Sequence, residues 1–214
     1  MTTYELIFET DPIEEHLQDK IDEYFDDALM SMQGKSFFVT VSADGLSGAE
    51  SALRAASLLE KLGVRVRRLA EDLVTRKDIA ARTNNSPQAV GQWVRGERHA
   101  DVPFPEPYNY VAGGVWLWAE IHDWLTRISA PVDDVSYPSR RDYALVNHVL
   151  DNSGHQWGTA IAHVAWAAHR EYSKSASFEA ALAEHDKPYT RTAIQASRSV
   201  PVIHESWTTF ALAA

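Results

Sequence analysis

Cysteine is absent from the 214 residues. That excludes disulfide staples, thiol nucleophiles and cysteine-ligated zinc. No apolar run approaches the ~18 residues of a membrane span, so no membrane partner is expected. The opening Met1-Thr2-Thr3-Tyr4-Glu5 has no basic region leading into an apolar run. No signal peptide is expected, and a cytoplasmic protein is. No glycine-rich phosphate loop follows a strand pattern, and no nucleophile elbow or Walker sequence occurs. The chain is therefore read as non-enzymatic, with no catalytic residue and no cofactor assigned. Positive charge is also scarce: 20 Lys and Arg stand against 30 Asp and Glu, a formal charge of -10. Taken alone, that deficit argues against nucleic acid, whose phosphates are bound by clustered Lys and Arg. What is present is apolar material: the hydrophobic fraction is 45% with seven Trp, enough to exclude a disordered chain. The length suits one large domain or two to three small ones.

The charge is unevenly placed. Residues 1–33 hold Glu5, Glu9, Asp11, Glu14, Glu15, Asp19, Asp22, Glu23, Asp26 and Asp27 against the single base Lys20, a net -9. Residues 64–100 hold Arg65, Arg67, Arg68, Arg76, Lys77, Arg82, Arg95 and Arg98 against Glu71, Asp72, Asp78 and Glu97, a net +4. Such asymmetry says more about partners than the average does.

Tyr4 to Glu9 reads as a strand. Asp11-Pro12 fits a helix start, and Ile13, Leu17, Ile21, Tyr24, Phe25 and Leu29 recur at helical spacing until Gly34. Ser36 to Val41 is a second strand. Ser47 with Glu50 makes a capping box for a helix carrying Ala49, Leu53, Ala56, Leu59 and Leu62, closed by Gly63. Val64 to Leu69 alternates as a third strand. The order β-α-β-α-β over residues 1–70 predicts a small, ferredoxin-like α/β domain. Residues 129–138, with Pro131, Pro138 and Asp133-Asp134, read as a linker. Beyond it, Arg141–Leu150, Gln156–Tyr172 and Phe178–His185 read as helices. The whole is an α+β chain with a middle domain at 71–128 and a mainly helical region at 129–214, a candidate for dimerisation.

The middle domain carries the most specific pattern. Thr75 and Asp78 form a capping box that opens a short helix with Ile79 and Ala80 facing inward. Asn84 or Asn85 suits the left-handed position that ends it. Ser86 caps a second helix with Pro87 at its first position, Val90, Trp93 and Val94 form its apolar face, and Gly96 ends it. Two short helices, a tight turn and this spacing make a helix-turn-helix. Its exposed face carries Ser86, Gln88, Gln92 and Arg95. Gln pairs with adenine N6 and N7, and Arg with guanine O6 and N7 or with phosphate. Arg76, Lys77, Arg82 and Arg98 flank this face as phosphate contacts.

These residues, with Phe104-Pro105-Glu106-Pro107, Gly113 to Ile121 and Trp124-Leu125, resemble the winged helix-turn-helix of the MerR-like and excisionase-like families. In those families a Phe-Pro-x-Pro stretch and a Trp-rich segment make the wing and the helix after it. The resemblance implies double-stranded DNA as partner, with the wing (Tyr108, Asn109 and Tyr110 here) against the backbone or minor groove. Residues 4–125 as a whole resemble a group of uncharacterised bacterial proteins with an α/β amino-terminal domain, an Asp-Asp-Ala motif (Asp26-Asp27-Ala28) and a Glu-Asp-Leu-Val-Thr lead-in (Glu71 to Thr75). This chain departs from the pattern in three places. Asn84 replaces the turn Gly, Asn85 replaces an aliphatic residue, and Trp116, Leu117 and Trp118 stand where many relatives place Arg.

Other constellations are weaker. His155 and His163 with Asp151 lack a close His pair, so no metal site is assigned. Glu14-Glu15 and Asp26-Asp27 are neighbours that do not face each other on a helix, and read as solvated surface. The sequence therefore predicts a sequence-specific, nucleoid-associated DNA-binding protein, a transcriptional regulator working as a homodimer, since one short helix reads few bases. Alternatives are an excisionase-like architectural factor, or an interaction module whose -9 strip mimics DNA phosphate. Whether a small-molecule effector exists is left open.

Overall fold

The computed structural model describes residues 1–152 and residue 164. The described residues belong to one compact unit, 1–175; residues 176–214 fall in a second unit that lies outside the described residues. The fold is mixed α+β. The elements are β1 (Thr2–Thr10), α1 (Glu15–Tyr24), β2 (Leu29–Gln33), β3 (Ser36–Gly45), α2 (Gly48–Lys61), β4 (Val66–Leu69), β5 (Leu73–Thr75), α3 (Arg76–Arg82), α4 (Pro87–Val94), β6 (Val115–Leu117), α5 (Trp118–Arg127) and α6 (Arg140–Asn152). Among the described residues no helix is long and apolar enough to cross a membrane.

Four strands make an antiparallel sheet in the order β2-β3-β1-β4. The expected β-α-β-α-β is thus a β-α-β-β-α-β, and the missed element is β2. Helix α1 ends at Tyr24 because Phe25 turns extended, at φ -131° and ψ 94°. Leu29, expected on the helix, instead pairs with Thr40 of β3 and is exposed. Gly34 is the first residue of the two-residue β2–β3 hairpin loop, at φ +64°, where a residue with a Cβ would be strained. The start of α1 also shifts. Asp11 is held by Arg67, with Nε 2.5 Å from Oδ1, and its N–H donates to Arg65 O. The chain therefore stays extended past Pro12, and Glu14 is the N-cap residue.

Leu6 and Phe8 of β1 and Val39 and Val41 of β3 pack with Ala52, Leu53, Ala56 and Leu59 of α2. The alanines let the helix sit close to the sheet. Ser47 Oγ accepts the Glu50 N–H at 3.2 Å, but the buried Glu50 carboxylate reaches back to the Leu46 N–H at 2.8 Å, one residue before the expected position. The end of α2 is a Schellman motif, with Val64 N–H on Leu59 O and Gly63 N–H on Glu60 O. Strand β4 does not alternate cleanly. A register shift against β1 leaves Val66 and Leu69 buried with Arg67 and Arg68 between them, both exposed. The bulge lets Arg68 pair with Glu9, and Arg67 with Asp11.

The expected linker is packed. Beside the free half of β1, Ser136 pairs with Tyr4, with Glu5 N–H on Ser136 O and Ser136 N–H on Thr3 O, both 2.9 Å. From α6 the Asn147 amide grips the β4 edge, accepting the Leu69 N–H at 2.8 Å and donating to Leu69 O at 3.0 Å. One side chain thereby satisfies backbone groups that an edge strand leaves open. The segment 71–128 continues from this core without a break: Ala70 N–H donates to Ile7 O, and Leu117 and Ala119 lie in the first core. The helices expected at 156–172 and 178–185 lie outside the described residues, save Val164.

Candidate nucleic-acid interface

The second core is built on tryptophan. Trp93 and Trp124 pack in a tilted arrangement with ring centroids 5.2 Å apart, and Phe104 meets Trp124 edge-on at 4.8 Å and Trp116 at 6.0 Å. Two indole N–H groups then clip the proline-rich arm: Trp124 Nε1 donates to Val102 O at 2.9 Å and Trp116 Nε1 to Pro105 O at 3.0 Å. The apolar residues Ile79, Ala80, Val90, Ile121 and Leu125 complete the cluster.

On this base sit α3 and α4. Thr75 and Asp78 form the full reciprocal capping box, with Asp78 Oδ2 accepting the Thr75 N–H at 2.9 Å and Thr75 Oγ1 the Asp78 N–H at 3.3 Å. The Thr75 hydroxyl, donating to Asp78 Oδ2 at 2.7 Å, and then the Thr75 N–H hold the Asp78 carboxyl below its usual pKa. Helix α3 ends in a Schellman motif with Asn84 left-handed at φ +51°, Asn85 N–H on Ala80 O and Asn84 N–H on Ala81 O. Ser86 Oγ accepts the Ala89 N–H at 3.2 Å and Pro87 opens α4. Gly96, at φ +68°, closes it with the same motif. Val90 and Trp93 are buried as expected; Val94, expected with them, is exposed because it lies one residue past the inward face.

The outward face of α4 shows Ser86 and Gln88 fully exposed and Gln92 half-buried. Arg95 is the C-cap residue and is exposed, with its guanidinium on Glu97: Nε to Oε1 is 2.6 Å and Nη2 to Oε2 is 2.9 Å. Arg76 is exposed and donates to Gly113 O at 3.1 Å, tying α3 to the loop ahead of β6, with no ion pair among the described residues. Lys77 and Arg98 are exposed and have no ion pair among the described residues. Arg82 differs. It forms a fork on Asp72, at 2.5 and 2.9 Å, and lies 4.7 Å over the Trp118 ring. Burial works against its charge, but Asp72 outweighs it, so its pKa rises. The side chain is 40% exposed, but its guanidinium is engaged by Asp72 and Trp118 rather than free beside α4.

The segment expected to form a wing is compact. Strand β6 pairs with β5, Val74 opposite Trp116, while the proline-rich arm meets it at one bridge, Asn109 to Val115. Between them runs a 3-10 turn, Val111–Gly113, with Ala112, Gly113 and Gly114 all at positive φ. Asn109 Oδ1 accepts the Val111 N–H at 2.9 Å, and Tyr110 projects from the tip, 75% exposed. Tyr108 is covered by Arg140 of α6, 4.8 Å over its ring, and Arg140 also pairs with Glu120. Trp116, Leu117 and Trp118 all face inward, so the apolar strand belongs to the core.

Behind Arg82 lies a polar junction that the sequence pattern did not reveal. Tyr137 OH donates to Asp133 Oδ2 at 3.1 Å, His122 Nε2 lies 3.0 Å from Asp133 Oδ1, and the Tyr137 ring meets both Trp118 and His122. Burial pushes the Tyr137 hydroxyl up to about 12 and the Glu5 carboxyl above its usual range, with Asp72 adding to the Glu5 shift. These residues are scattered over β1, α5 and the 133–137 segment, with no shared spacing to betray them. Among the described residues no group of three or more His, Asp or Glu is placed to hold a metal; His155 and His163 lie outside them.

No family model matches the chain, and no curated protein and no solved structure matches it.

Proposed function

We propose that this protein binds double-stranded DNA sequence-specifically as a dimer and acts as a transcriptional regulator. The observation that carries the reading is α4 itself. It is capped at both ends and buried along Val90 and Trp93, and it turns Ser86, Gln88 and Gln92 outward, with Arg76, Lys77 and Arg98 around it and without an ion pair among the described residues. A helix that presents amide side chains one turn apart, at Gln88 and Gln92, suits the major groove, where Gln reads adenine and flanking cations hold phosphate. In this reading α3 and α4 are a helix-turn-helix, the 109–115 loop is its wing with Asn109 and Tyr110 toward the backbone, and Arg95 exchanges Glu97 for DNA. The likeness to MerR-like and excisionase-like domains supports the same assignment. One such helix covers few base pairs, so two copies are invoked, with half-sites ~34 Å apart or a multiple of it. The protein would then work at the nucleoid.

The test is enrichment of bound fragments from a genomic pool, followed by gel shifts. A defined motif should emerge, and Gln88→Ala and Gln92→Ala should each weaken it by roughly 5–150-fold, the ~1–3 kcal/mol of a base contact. An unenriched pool, or unchanged affinity in both variants, would overturn the assignment.

A second reading has its own observation. Helix α1 exposes Glu15, Asp19, Asp22 and Glu23, and none of them has a cation partner among the described residues. Such a face fits a basic partner, or a DNA-mimic role. Charge reversal of these residues should abolish that interaction and leave DNA affinity unchanged or higher.

A further inference from the structure

Beneath α4 lies a cleft of about 300 Å³, walled by Thr83, Trp93, Arg98, His99, Leu125 and Ile128. Its size is at the lower end for ligand pockets, enough for a single-ring or short-chain molecule. Three features give it a chemical preference. Leu125 and Ile128 supply an apolar wall, and Trp93 adds an aromatic one. Among the described residues that line it, the only fully charged side chain is Arg98, which has no ion pair among them, and none is a carboxylate. Finally, the Trp93 indole N–H is buried without a hydrogen-bond partner among the described residues, in a residue only 5% exposed. An orphaned buried donor of this kind costs stability unless something accepts from it. The negative end of α5, which would repel an anion, is already tied up: Ser129 N–H donates to Thr126 O and Ala130 N–H to Leu125 O.

We propose that this cleft binds a small organic anion, one carboxylate on a compact apolar body, with Arg98 meeting the carboxylate and the aromatic and aliphatic walls taking the body. Trp93 is at once a wall of the cleft and the main anchor of α4 in the core, so occupancy acts on the helix that faces DNA. That regulatory consequence rests on the DNA-binding reading; the site does not.

The test is a ¹H–¹⁵N titration of the full chain without DNA, using benzoate, phenylacetate and hexanoate, with the corresponding primary amides as neutral controls. The Trp93 indole resonance is assigned through its contacts, so no core variant is needed. A saturable shift of that resonance and of the α4 amides is expected with at least one carboxylate. Binding should be about tenfold weaker for the matching amide and for the exposed variant Arg98→Gln, and largely restored in Arg98→Lys. The proposal is overturned if none of the carboxylates gives a saturable shift, if the amide binds as well, or if Arg98→Gln changes nothing. A shift at Trp93 with motionless α4 amides overturns the coupling to α4. Because no DNA is present, a protein that retains no DNA defeats the earlier reading and leaves this titration decisive.

Discussion

Salt dependence separates the two kinds of arginine around α4. By sequence, residues 64–100 offer eight bases. In the fold, Arg67 pairs with Asp11, Arg68 with Glu9 and Glu71, Arg82 with Asp72 and Arg95 with Glu97. Close to α4, that leaves Arg76, Lys77 and Arg98 without an ion pair among the described residues. If each meets one phosphate, log K against log salt should fall with a slope of about -2.7 per copy, or about -5.4 for a dimer. Between 50 and 200 mM salt the dimer should lose roughly 10³-fold in affinity. The assay is fluorescence anisotropy on a selected duplex across that range. Lys77→Ala and Arg98→Ala should each shallow the dimer slope by about 2, one released counterion per copy. Arg82→Gln should leave the slope unchanged, because its guanidinium is held by Asp72 and Trp118. It should instead destabilise the fold by about 1–3 kcal/mol in urea melts, since Asp72 is left largely buried without its counterion. An Arg82 variant that shallows the slope as much as Arg98→Ala, at wild-type stability, would refute the division into structural and binding cations.

Three further expectations concern the scaffold. A Cβ at Gly45 would lie 2.1 Å from Ser51 Oγ in the packed start of α2, so Gly45→Ala should cost about 1–3 kcal/mol by overpacking, measured by chemical denaturation. Equal stability would mean that Ser51 can turn away. Asn84 sits left-handed, so Asn84→Ala should cost about 1 kcal/mol while Asn84→Gly is neutral or slightly stabilising. The same loss in both variants would place the effect in the side chain rather than the backbone. The Glu5 carboxyl is raised by burial and by Asp72, so its ionisation opposes folding: its favourable contribution is present below the unfolded pKa and disappears as pH rises through the folded one. Glu5→Gln should therefore raise the Tm at pH 7 and lose that advantage near pH 4; a constant difference across this range would contradict the burial argument.

The helix pair was legible because its signals are local. A capping box, an Asn at a left-handed position, Ser-Pro at a helix start and a closing Gly act within four or five residues, and each falls where the pattern put it. The same local reasoning misplaced α1 and missed β2. Leu29 and Met30 continue the helical spacing of Ile21 and Phe25, and only pairing with β3, a long-range event, decides for strand. Residues 129–138 looked like a linker for a similar reason. Prolines and paired acids say nothing about Ser136 fitting the unpaired half of β1, or about Asn147 gripping Leu69 from 78 residues away.

Charge was the least legible property, because it is a sum over partners rather than residues. The -9 and +4 segments partly cancel through β1, β4 and the bulge between them: Glu9 and Asp11 from the acidic strip neutralise Arg68 and Arg67 from the basic one. What remains is an acidic α1 and a small set of free cations near α4. A protein arranged this way cannot rely on bulk attraction to DNA, since few counterions are released. Under the proposed DNA-binding reading, discrimination would come from base edges and from the spacing of two copies. That links the salt titration to the selection experiment: on the proposed reading a sharp motif with a slope of about -5.4 is expected, and a much steeper slope with no motif would count against it.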